Sequence, residues 1–286
     1  MRLAEYAKIV QPEIEQFLMT EFAKLDSNNQ LIAAMDYALM TGGKRLRPLL
    51  TLAVAETFGQ KRAMIIKNAS AVELMHTYSL IHDDLPAMDN DTLRRGKPTV
   101  HLKFGEDVAI LAGDALQPLA FEWVLAGEQI SAESKLELSR LLAKAAGANG
   151  MVAGQILDME MTKATKTELA TVRKLHNLKT GALIAYAVQA GGILAGVNQE
   201  IQQALWQFGL KYGLAFQIKD DIDDLIQDGD EDKQAYPTLL GLAGAQKALR
   251  KEVTDAQGLL KEIGEKAGVD IALLLSFLDY FDEMVK

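Results

Sequence analysis

The segment ALIAYAVQAGGILAGV, Ala182 to Val197, is the longest apolar stretch of the chain and is interrupted by Gln189. Its reading decides the fold. A helix that crosses a bilayer needs about 20 predominantly apolar residues, and this stretch is shorter. Its alanines and glycines suit a helix packed on all sides within a bundle. The sequence therefore reads as an all-α protein with a buried central helix and no membrane span.

The flanking segments agree. Helical spacing recurs almost everywhere, and the two-residue alternation of strands is absent. Leu31, Met35, Ala38 and Leu39 make one stripe. Leu136, Leu138, Leu141, Leu142 and Ala145 make another, and Leu205, Phe208, Leu210, Tyr212, Leu214 and Phe216 belong to a nearly all-apolar helix. The spacing predicts helices over roughly 2–24, 29–40, 46–58, 62–84, 105–126, 132–148, 167–195, 199–225, 238–263 and 270–285. Pro48 suits a first helical turn, and Pro118 is expected to kink the helix it interrupts. No internal repeat or low-complexity linker stands out. The reading is one domain over residues 1–286, with long helices around a central space.

The chain has 286 residues, 49% of them hydrophobic, enough for a large core. Its net charge of −9 disfavours general nucleic-acid binding. The absence of cysteine excludes disulfides, thiolate zinc sites and a cysteine nucleophile. The start, MRLAEYAKIVQPEIEQF, carries scattered charges and no apolar core of a secretory signal. A cytoplasmic location is the expectation.

Two acidic clusters follow apolar helical runs. The first lies in SLIHDDLPAMDNDTLRRGKPT, Ser79 to Thr99, with Asp83, Asp84, Asp89 and Asp91. Val72, His76, Leu80 and Asp83 share one helical face. Pro86 should end the helix near Asp84, leaving carboxylates at the negative end of its dipole unless a cation is present. The second is KDDIDDLIQDGDEDK, Lys219 to Lys233, where Asp220, Asp223 and Asp224 share a face. One reading is a solvated acidic surface. The other is a pair of Mg²⁺ sites, since hard carboxylates without cysteine favour Mg²⁺ over zinc.

Cations stand nearby in sequence. TGGKRLRP, Thr41 to Pro48, sets Gly42 and Gly43 before Lys44, Arg45 and Arg47, where backbone could approach an anion and a helix could start at Pro48. It lacks Walker A spacing. Arg94 and Arg95 suit phosphate oxygens, or ion pairs with Asp89 or Asp91. Lys179 and Thr180, in HNLKTGAL, are read as surface residues or as cavity-facing ones, with Thr180 breaking helix regularity. Gln217 precedes Asp220 by one turn and, if buried, needs a hydrogen-bond partner. His76 is read either as a structural histidine or as a ligand contact on the face of Asp83.

Together, GGKRLRP, LIHDDLPAMDNDTLRRGKPT, GMVAGQILDM, HNLKTGALI, AFQIKDDIDDL and YPTLLGL resemble the trans-isoprenyl diphosphate synthases, in this order and over most of the chain. The resemblance, closest to the bacterial farnesyl diphosphate synthases, implies an all-α isoprenoid synthase fold and a homodimer. It implies head-to-tail condensation of isopentenyl diphosphate with dimethylallyl and geranyl diphosphate. Asp83, Asp84 and Asp89 would bind Mg²⁺ from one side and Asp220 and Asp224 from the other, about three ions in all. Arg94, Lys179 and Lys233 would add positive charge at the allylic diphosphate. Lys44, Arg47, His76 and Arg95 would hold isopentenyl diphosphate. The Thr180 carbonyl and the Gln217 side chain would face the allylic cation. Tyr78, five residues before Asp83, would limit product length at fifteen carbons. Periodicity alone sets Tyr78 about 140° from Asp83 on a helical wheel, where it also reads as a core aromatic.

The chain departs from the family in one place. Relatives usually carry a longer loop with two Gly–Lys pairs after the second acidic motif, and here Lys233 alone remains, so weaker allylic binding or slower turnover is expected. Geranyl or geranylgeranyl diphosphate as product is the nearest alternative. A terpene cyclase would carry a different second metal motif, and a regulatory synthase subunit would lack the aspartates.

Overall fold

The computed structural model describes residues 1–25, 29–163, 167–228 and 235–281. Regular structure among them is helical apart from one short hairpin. The helices are α1 (Leu3–Phe22), α2 (Gln30–Met40), α3 (Leu46–Thr57), α4 (Arg62–Asp83), α5 (Val100–Phe104), α6 (Glu106–Val124), α7 (Ala132–Ala146), α8 (Met151–Thr162), α9 (Leu169–His176), α10 (Ala182–Leu194), α11 (Gln199–Asp228), α12 (Tyr236–Ala267) and α13 (Ala272–Ser276). The expected ends hold to within a few residues for most of them. Helix α8 lies outside the expected set. Gly150 is the residue before its first turn, and Gly154 lies inside it. The hairpin, β1 (Leu93–Arg94) with β2 (Lys97–Pro98), is too short to show alternation. Pro12 and Pro118 both lie inside helices, α1 and α6. Leu136 departs from its stripe and is 71% exposed, while Leu138, Leu141, Leu142 and Ala145 are buried.

The contacts divide the chain into two units, and the chain crosses from one to the other within α1, α3 and α7 and between Gln60 and Lys61. The amino-terminal unit spans Ala4–Leu52 and Lys61–Ser139. In it, α1 buries Tyr6, Val10, Ile14, Leu18 and Phe22, a run spaced by four that keeps one stripe inward. Helix α4 is buried on most sides and packs along α6. Its Asn68 amide donates to the carbonyls of Trp123, Val124 and Ala126 at 3.1, 2.9 and 3.0 Å, satisfying the carboxyl end of α6.

The carboxy-terminal unit holds Met1–Leu3, Ala53–Gln60 and the chain from Arg140 onward. Every residue of α10 is buried. It is the helix of the opening segment, and no described helix is long and apolar enough to cross a membrane. Two glycines bring α11 onto it. A Cβ at Gly213 would lie 2.7 Å from the Gly181 Cα, and one at Gly209 would overlap the backbone of Ala185. Between α9 and α10 the helix widens into a π turn, Asn177–Gly181. The expected single helix over 167–195 is therefore continuous, with the irregularity at Thr180.

Candidate active site

In the amino-terminal unit, the TGGKRLRP segment turns sharply. Gly42 and Gly43 take φ of 105° and 125°, and Arg45 takes 49°. Helix α3 starts at Leu46, where the predicted 46–58 helix begins, and Pro48 lies in its first turn. In the hairpin, Arg95 and Gly96 are the two turn residues, with φ of 53° and 75°. Two arginines thus hold a backbone region that L residues seldom occupy, a strain that surrounding contacts must outweigh. Those contacts are present. The Arg95 guanidinium donates to the Gly42 carbonyl. A Cβ on Gly43 would stand 2.5 to 2.8 Å from that guanidinium. Arg45 is buried, donating to the Leu39 carbonyl at 2.7 Å and to Glu73 at 3.1 Å.

These arginines gather around His76. Burial, then Arg47, Arg95, Arg45 and Arg94, holds the His76 pKa well below the ordinary value. The imidazole is neutral near pH 7. Burial also lowers Arg47 to about 10, against the pull of Glu73. The Nε atoms of Arg45 and Arg47 are buried without a protein partner. A group of arginines with Glu73 as its buried acid, and donors left unmet, suits an anion. Lys44 lies exposed beside this group in sequence.

Helix α4 ends at Asp83, with Asp84 as its cap. The chain then curls back, and the Asp89 amide donates to the Asp83 carbonyl at 2.9 Å. This turn gathers the first acidic motif at a dipole's negative end. Asp84 is buried at 3% exposure and takes two hydrogen bonds from Arg94, from Nε at 2.9 Å and from Nη2. Arg94 also donates to Asp91 at 2.9 Å, the ion pair the sequence offered as an alternative. Burial works against the Arg94 charge, but Asp84 and Asp91 outweigh it and raise its pKa. Asp89 is exposed. Tyr78 is buried at 5%, its phenol pushed up to about 12 by burial and by Asp83.

In the carboxy-terminal unit, the π turn presents Lys179 and Thr180. The Thr180 hydroxyl donates to the Gln217 carbonyl oxygen at 2.8 Å, and the Gln217 amide donates to Asp220 at 3.1 Å. The hydrogen-bond demand of Gln217 is met on both ends, and its amide orientation is fixed. Lys179 donates to Asp158 of α8 at 2.6 Å. Gly154, one turn earlier on α8, leaves room for the Lys179 backbone. Asp221 accepts from His176 Nε2 at 3.1 Å and from the Tyr236 amide at 3.0 Å, so it ties the start of α12 to α11. Lys219 pairs with Asp223, and Asp224 is exposed. Lys233 lies outside the described residues.

Sequence reasoning assigned no role to Arg45, Glu73, Asp158, His176 and Asp221. All but Glu73 stand inside the quoted motifs, but their partners are distant in sequence and no spacing points to them. Among the described residues, no three acidic or histidine side chains converge to hold a metal alone. Oxygen donors available in ones and twos fit Mg²⁺, which completes its shell with phosphate oxygens and water.

An all-α chain whose apolar helices end in two aspartate motifs has the isoprenoid synthase fold, the fold of its solved neighbours. The polyprenyl synthetase profile matches residues 28–238, and the chain belongs to that family. It is 42% identical over 274 residues to the farnesyl diphosphate synthase of Haemophilus influenzae, covering 91% of this chain and 92% of that one. It is 43% identical over 274 residues to the farnesyl diphosphate synthase of Geobacillus stearothermophilus, covering 91% of each. The crystal structure of an FPP/GFPP synthase from Zymomonas mobilis superposes with a TM-score of 0.87 at 40% identity, over 97% of this chain and 99% of that one. Synthases of this family generally depend on Mg²⁺.

Proposed function

We propose that this protein is a Mg²⁺-dependent prenyltransferase that condenses isopentenyl diphosphate head to tail with dimethylallyl and then geranyl diphosphate to give (2E,6E)-farnesyl diphosphate. The observation that carries the reading is the arginine group around neutral His76, in the same unit as the Asp83–Asp84–Asp89 turn. One motif binds an anion directly and the other binds it through a cation, as two diphosphate substrates require. Lys44, Arg47, His76 and Arg95 hold isopentenyl diphosphate. Arg94, Lys179 and Lys233 add positive charge at the allylic diphosphate. Asp83, Asp84 and Asp89 of one motif and Asp220 and Asp224 of the other would hold Mg²⁺, about three ions, which would supply charge neutralisation of the diphosphate leaving group.

Breaking the allylic carbon–oxygen bond gives a carbocation and diphosphate. The Thr180 carbonyl and the Gln217 side chain turn partial negative charge toward the cation. The isopentenyl double bond attacks it, and the released diphosphate takes the proton that restores a double bond. The cations hold and orient, and no side-chain base is assigned. Tyr78 limits the product at fifteen carbons. The chain works as one synthase domain, as a cytoplasmic homodimer, and Ile110 and Leu111, 44% and 57% exposed on α6, offer apolar surface for a second copy.

The test is incubation with labelled isopentenyl diphosphate and each primer, with and without Mg²⁺, followed by chain-length separation. A Mg²⁺-dependent fifteen-carbon product is expected. No condensation under any condition would sink the proposal, while a ten- or twenty-carbon product would replace farnesyl by geranyl or geranylgeranyl diphosphate. The Zymomonas neighbour is an FPP/GFPP synthase, a name that carries two products, and this makes length the point to measure.

A further inference from the structure

His82 stands immediately before the first aspartate pair, and neither the metal motif nor the arginine group uses it. It lies one turn beyond Tyr78 on the same face of α4. Its ring meets the Tyr78 ring edge to face, with centroids 5.8 Å apart and planes at 80°. The imidazole Nε2 is 3.1 Å from the Ile110 carbonyl of α6. A carbonyl oxygen can only accept, so Nε2 carries the proton and donates. The ring occupies the place of a missing side chain, since a Cβ on Gly113 would overlap Nε2 and stand 2.5 Å from Cδ2. Asp114 is 3.9 Å from the same nitrogen. The imidazole is thus held by α6 on one side and abuts Tyr78 on the other.

A single aromatic ring on a helix is a poor stop for a growing chain unless its rotamer is held. Edge-to-face contact with a ring fixed to the neighbouring helix supplies that hold. We propose that His82 and Gly113 are specificity-determining positions of this enzyme: His82, seated in the gap at Gly113, braces the Tyr78 ring and so sets product length. The proposal rests on Tyr78 being the length limit. His82 touches no reacting atom and is a positioning residue.

The full chain is assayed with labelled isopentenyl diphosphate, geranyl diphosphate and Mg²⁺, and the ratio of twenty- to fifteen-carbon product is read for Tyr78→Ala, His82→Ala, His82→Phe and Gly113→Ala. That ratio is independent of total rate, so a general loss of activity does not move it. His82→Ala raises it roughly fivefold, the scale of one aromatic pair. Gly113→Ala raises it too, because the added methyl displaces the imidazole. His82→Phe keeps a ring edge against Tyr78 and stays near the parent ratio. Should Gly113→Ala fail to fold, the two His82 variants carry the comparison. If Tyr78→Ala lengthens the product while His82→Ala does not, bracing is overturned and the length limit stands. If Tyr78→Ala changes nothing, the length limit falls and bracing with it, and no product from the parent chain overturns the prenyltransferase reading and both of these.

Discussion

Arg95 fills the space that Gly43 leaves open. Its guanidinium donates to the Gly42 carbonyl and would stand 2.5 Å from a Cβ at Gly43. Two motifs some fifty positions apart thus form one cation-bearing turn, each holding the other in an uncommon backbone conformation.

Gly43→Ala breaks that arrangement twice, through its φ of 125° and through the clash with Arg95. The KM for isopentenyl diphosphate is expected to rise about tenfold, equal to roughly 1.4 kcal/mol, with the allylic KM little changed. Steady-state kinetics with each substrate varied in turn checks this, and equal shifts in both would contradict it.

Arg45 and Glu73 form an ion pair with side chains only 1% and 4% exposed. Removing one partner leaves a buried charge, so Arg45→Met should destabilise the protein by about 3–5 kcal/mol. Replacing both by methionine should recover much of that loss. Denaturant unfolding of the two variants decides it.

His76 is neutral in the folded protein at pH values where an unfolded histidine becomes charged. The unfolded chain binds the extra proton, so this group's contribution to stability falls as pH drops below the unfolded value near 6.5. The limiting slope is about 1.4 kcal/mol per pH unit for one proton. His76→Gln should flatten the unfolding free energy between pH 6.5 and about 5 relative to the parent. Identical slopes would show that His76 takes up a proton in the folded state.

Asp84 and Asp89 should behave differently when neutralised. Asp84 is buried against Arg94, and Asp89 is exposed on the returning turn. Asp89→Asn is expected to raise the Mg²⁺ concentration for half-maximal rate. Asp84→Asn also releases Arg94, and a fall in kcat/KM of about a hundredfold that added Mg²⁺ does not restore is expected. Recovery of Asp84→Asn by Mg²⁺ would assign it to metal binding alone.

The helices were legible because each buries a face, and a buried face writes its period into the sequence. The all-round burial of α10 was legible for the opposite reason, since it shows no polar face. Helix α8 was missed, and its Gly150 and Gly154 carry no side chain where neighbouring backbone approaches, that of Lys179 in the case of Gly154. The acidic and basic motifs were legible as residue types. Their division of labour was not, because Lys179 with Asp158, Asp221 with His176, and Arg94 with Asp84 are paired by tertiary contacts that no spacing encodes.

The π turn at Asn177–Gly181 also bears on how this chain can vary. Such a turn is an α-helix carrying one extra residue. Deleting one residue there would restore a regular helix and leave the faces of α9 and α10 in register, because the wide turn takes up the extra residue without turning one helix against the other. The same deletion within α9 or α10 would rotate the rest of the helix by about 100°. That rotation is barred, because α10 is buried all round and α9 is anchored by Val172, Leu175 and His176. The turn is thus the place on this helix where evolution or an engineer can change the length by one residue.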